Sequence, residues 1–181
     1  MRVFVNQKRL KIEQLSLSHA RLKESLLPVL RGNVFHVTTR AGFLGVTKDG
    51  FIRNNKNGLY TYSFPQSLFD LRTLSEDQVE RALENFYFLN PPYTENNPFF
   101  LFLSESLHHK LVPWTHARDE QAWQEMFIPI VEGFYPEDIP ITCISRVVAV
   151  RVRQAKTMQI ELTKQIDEAV RTIYTRNLKP L

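Results

Sequence analysis

Apolar and polar residues alternate through Val34-Phe35-His36-Val37-Thr38, so a strand there points Phe35 and Val37 to one side and His36 and Thr38 to the other. In a later extended run Ile128, Ile130 and Glu132 share a face, and Gly133 follows where a neighbouring chain can come close. Residues 99–103 are apolar throughout, the pattern of a strand covered on both faces, bounded by Pro98 and by a polar Ser104-Glu105-Ser106 segment that can open a helix. Tyr60 and Tyr62 alternate within a strand over 59–64 that Pro65 ends, and further strands are expected at 139–144 and 147–152.

Helical spacing appears elsewhere. Ile12, Leu15, Leu22, Leu26 and Val29 predict a helix within 12–30, with Pro28 near its end. Thr39 can cap a short helix whose Phe43, Leu44 and Val46 pack inward and whose left-handed stop is Gly50, after which Phe51 and Ile52 begin an extended segment. Ser75 with Gln78 forms a capping box for a helix carrying Val79, Ala82, Leu83, Phe86 and Tyr87, which ends before Pro91 and Pro92. A last helix runs through Ile166, Val170, Ile173 and Tyr174. The pattern is that of an α+β fold with a largely antiparallel or mixed sheet, since strand-to-helix crossovers are too few for a doubly wound domain.

With 181 residues, 43% of them hydrophobic, the chain can bury one substantial core, which favours a single domain. Cys143 is the only cysteine, so no internal disulfide framework is available; its Thr142-Cys143-Ile144 setting reads as a buried strand rather than a reactive thiol. A lone cysteine, the absence of an apolar run after Met1 and the lack of about 18 consecutive apolar residues lead us to expect a cytoplasmic protein without a membrane span. The formal charge of +4 is modest, so only weak, nonspecific nucleic-acid binding is expected. Arg151 and Arg153 share a strand face, which suits a phosphate contact but better suits a protected sheet edge. Neither G-x-G-x-x-G nor a P-loop occurs. His108 and His109 are adjacent, about 100° apart on a helix, which prevents the two-histidine bite on a metal that i and i+4 spacing gives.

The His36-Val37-Thr38-Thr39 strand, the helix ending in Gly50, the aromatic strand at Tyr60 and Tyr62 and the run ending near Glu132 resemble, in that order, the ADP-ribosyltransferase fold of the histidine-tyrosine-glutamate type. The Pro-x-x-Ile-Pro element at Pro136 to Pro140 and the strand after it look like the segment following the glutamate in related bacterial domains. The resemblance covers roughly residues 34–152 and implies a core with a central split sheet, an N-terminal helical extension over 1–33 and a C-terminal helix over 153–181.

It further implies that NAD is bound as a substrate without a Rossmann motif and that ADP-ribose passes to an unidentified macromolecular acceptor, or NAD is hydrolysed. His36 would then hydrogen-bond a ribose, Tyr60 or Tyr62 would stack on nicotinamide, and Glu132 would steer the nicotinamide ribose. Thr38 would join the cofactor contacts, and Arg40 or Arg53 would meet the pyrophosphate. The chemistry fits few residues: nicotinamide leaves as a neutral molecule without a general acid, and a carboxylate stabilises the oxocarbenium character of the ribose. Glu125 and Glu137 compete with Glu132 for that role. Ile130 stands where arginine-directed transferases often carry an acidic residue. Two other readings stay open: a noncatalytic nucleotide, nucleic-acid or protein interaction domain of the same fold, and an RNA 2'-phosphotransferase-like enzyme using Arg40, Arg53 and Arg72.

Overall fold

In the computed structural model the described residues are 2–5, 8–54, 67–85, 97–113 and 131–153. The strands are β1 (Arg2–Val5), β2 (Lys8–Ser18), β3 (Val34–Thr38), β4 (Phe51–Ile52), β5 (Ser67–Asp70), β6 (Phe99–Leu103), β7 (Val112–Pro113), β8 (Glu132–Phe134), β9 (Ile139–Pro140) and β10 (Ile144–Arg153). The α-helices are α1 (Leu22–Leu30), α2 (Arg40–Asp49) and α3 (Glu76–Asn85), and 3-10 turns occupy Glu105–Lys110 and Ile141–Cys143. Eight strands form one mixed sheet in the order β1-β2-β10-β6-β3-β5-β8-β7, with β4 and β9 pairing separately. Only β2 and β10 run parallel among these pairs. The α+β class and mixed sheet agree with the sequence pattern.

Each face of the large sheet carries a core. One gathers Phe35, Phe69, Phe100, Phe102, Val148 and Val150 under Leu26 and Leu30 of α1 and Val79 of α3. The other gathers Ile12, Val34, Leu68, Leu101 and Val147 with Phe43 and Val46 of α2 and with Ile52 and Ile139 of the small sheet. With a layer on both faces, β6 is almost wholly buried, which is why its residues are uniformly apolar.

Local signals formed as written at several points. Thr39 Oγ1 accepts the Gly42 N–H at 3.2 Å, and Gly50 closes α2 at φ 81°. The Ser75 N–H donates to Gln78 Oε1 at 2.9 Å while the Gln78 N–H returns to Ser75 Oγ at 3.3 Å, a reciprocal capping box.

Other expectations are corrected. Residues 8–18 are a strand, so 1–33 is not a helical extension: β1 and β2 extend the sheet, and only α1 keeps the helical reading. Ile12 pairs with Val147 in one core and Leu15 with Val150 beside the other, so the buried face changes along β2 and a three-residue step imitates a helix. Leu44 is 55% exposed, lying one residue and about 100° around α2 from buried Phe43. The run 139–144 leaves the strand after Pro140 for a 3-10 turn, in which Cys143 is half-buried against the second core. β10 lies between β2 and β6, but its pairing with β6 ends at Ala149, so exposed Arg151 is paired only with β2, at Ser16. The expected strand at 59–64 and the helix through Ile166 to Tyr174 lie outside the described residues.

Candidate functional site

The candidate site begins where β3 parts from one of its neighbours. Along β6, β3 is paired from Phe35↔Phe102 through Thr38↔Phe99. Along β5 it is paired only at Val34↔Asp70 and Phe35↔Phe69, although β5 continues back to Ser67 and stays paired with β8 there. A seam therefore opens beside His36, within a sheet otherwise continuous from β1 to β7.

His36 spans this seam. Its Nδ1 lies 3.0 Å from the Ser67 carbonyl oxygen. A carbonyl only accepts, so in the neutral ring Nδ1 carries the proton. The residue is 6% exposed, and burial lowers its pKa to about 4 against a smaller upward pull from the Ser67 carbonyl. At neutral pH the ring is uncharged.

Glu132 is also buried at 6% exposure, but the register does not bring it to His36. Phe35 opposes Phe69 and Phe69 opposes Glu132, so these three share one face of the sheet. His36, next in sequence to Phe35, belongs to the other face. Glu132 lines a hollow of about 100 Å³ between β5, β7 and β8, together with Leu68, Asp70, Arg72, Leu111, Val112, Pro113, Val131 and Gly133. Gly133 leaves the space for this approach, since a Cβ there would sit 3.0 Å from the Val112 carbonyl oxygen. Glu137, a rival for the carboxylate role, is exposed and lies 3.9 Å from Lys110. Glu125 lies outside the described residues.

The remaining candidates separate along α2. Thr38 follows His36 on the same strand face and is half-buried, and Arg40 is exposed at the first position of α2. Arg53 lies beyond the far end, paired with Asp49 at 2.9 Å. Arg40 therefore sits at the start of α2 and Arg53 beyond its end. Arg72 chelates Asp70 through Nε at 2.9 Å and Nη2 at 2.6 Å, and this guanidinium holds the Asp70 carboxyl below its usual range despite burial, which acts in the opposite sense. Arg40, Arg53 and Arg72 thus have separate settings rather than a shared phosphate cradle. Tyr60 and Tyr62 lie outside the described residues.

Sequence reasoning missed Ser67 and β5. Ser67-Leu68-Phe69-Asp70 is too short to show periodicity, and Ser67 matters through its carbonyl, which every residue type carries. Its hydroxyl Oγ is buried without a hydrogen-bond partner among the described residues. Removing an unsatisfied buried hydroxyl while keeping the carbonyl should be neutral or stabilising, by up to about 1 kcal/mol for Ser67→Ala. Urea unfolding measures this, and a loss above about 1 kcal/mol would show that the hydroxyl does bond in the folded protein.

No group of three or more possible metal ligands occurs among the described residues, and none of their helices is long and apolar enough to cross a membrane. No family model, curated protein or solved structure matches the chain.

Proposed function

We propose that the chain is an ADP-ribosyltransferase-like domain that binds NAD at the seam between β3 and β5. The supporting observation is the opening itself: β3 leaves β5 after two residue pairs, and a buried neutral histidine bridges the gap with a fixed tautomer. An uncharged ring can lie against a ribose without the cost of a buried charge. Thr38 and Arg40 continue from His36 into the start of α2, where a side-chain hydroxyl, a guanidinium and the positive end of the helix all favour phosphate. Arg53, at the other end of α2, is left out of that contact. Calorimetric titration of NAD tests the reading: saturable binding that weakens at least tenfold in His36→Ala is expected, and no binding to a folded sample at millimolar NAD would overturn it.

Turnover is a separate question, and it rests on Glu132. If this carboxylate stabilises the ribose as nicotinamide leaves, Glu132→Gln should lower NAD cleavage by about 100-fold or more while leaving NAD affinity within a few-fold, because the charge acts on the transition state. Nicotinamide release from NAD, followed by chromatography, measures this. Equal release by both proteins would remove Glu132 from the reaction. A second reading, binding without turnover, is favoured by the Phe35-Phe69-Glu132 row, which sets Glu132 on the face opposite His36. On that reading NAD binds and neither protein releases nicotinamide.

A further inference from the structure

We draw no further inference here: the strongest candidate, the hollow between β5, β7 and β8 lined by Asp70, Arg72 and Glu132, belongs to the site already described, with Arg72 already committed to Asp70.

Discussion

Replacing Phe35 with alanine should destabilise the fold by about 3–5 kcal/mol, the range for truncating a buried aromatic ring. Phe35 is fully buried where the first core is most aromatic. Its ring centroid lies 5.5 Å from that of Phe69, 5.7 Å from Phe102 and 5.8 Å from Phe100, so one side chain joins β3 to both neighbouring strands. Deleting it opens a cavity at the last residue pair before the seam and removes aromatic contacts from β5 and β6 together. Domains of this size are stable by about 5–15 kcal/mol, so the variant should unfold at much lower denaturant. Phe51→Ala supplies the contrast: Phe51 is 42% exposed, and its loss should cost under about 1 kcal/mol. Unfolding free energies from urea titration within about 0.5 kcal/mol of each other for the two variants would contradict the placement of the core.

Acid should weaken the fold through His36. The imidazole titrates near 6.5 in an unfolded chain and at about 4 when buried, so between these values the unfolded state binds more protons. Stability is therefore unaffected by this group above pH 6.5, falls as pH drops from about 6.5 to about 4, and loses nothing further below that. The full shift corresponds to about 3 kcal/mol. Glu13 and Asp70, whose carboxyls are held low by Arg146 and Arg72, add their own losses at more acidic pH. His36→Gln separates the contributions, because glutamine keeps a donor for the Ser67 carbonyl but does not titrate. Urea unfolding at pH 7, 6, 5 and 4.5 should show a steeper decline for the native sequence than for the variant, which keeps the contribution of His108, whose pKa burial also lowers. Parallel declines would show that His36 is not buried as a neutral ring.

Much of the site's scaffold was legible because short local signals encode it. The strand at His36 alternates, Thr39 and Gly50 bracket α2, and Ser75 with Gln78 starts α3, each within a few residues. β6 was legible from its apolar run bounded by Pro98 and the polar Ser104-Glu105-Ser106 segment, the pattern of a strand covered on both faces. What could not be read depends on partners distant in sequence. β2 buries one face beside Val147 and the other beside Val150, so its periodicity resembles a helix until β10 is placed next to it. Ile141 and Ile144 are both buried across a 3-10 turn whose three-residue spacing is hidden in an apparently continuous apolar run.

The candidate site divides along the same line. His36 was visible as a polar residue on an alternating strand, but its tautomer comes from Ser67, 31 residues away. Glu132 was visible as a carboxylate beside a glycine. Its face is fixed by Phe69, which takes its own position from Phe35, and no local pattern contains that chain of pairings. Arg40 and Arg53 looked interchangeable until α2 placed them at opposite ends.

The most direct measurement of NAD binding at the seam is the imidazole nitrogen spectrum of 15N-labelled protein during NAD titration at neutral pH. Assigned with the His36→Gln variant, the His36 ring should show a neutral Nδ1–H tautomer whose Nε2 resonance moves saturably as NAD is added, with the same response in Glu132→Gln. An Nε2 resonance unchanged by millimolar NAD, in a sample whose amide spectrum shows it folded, would contradict the account.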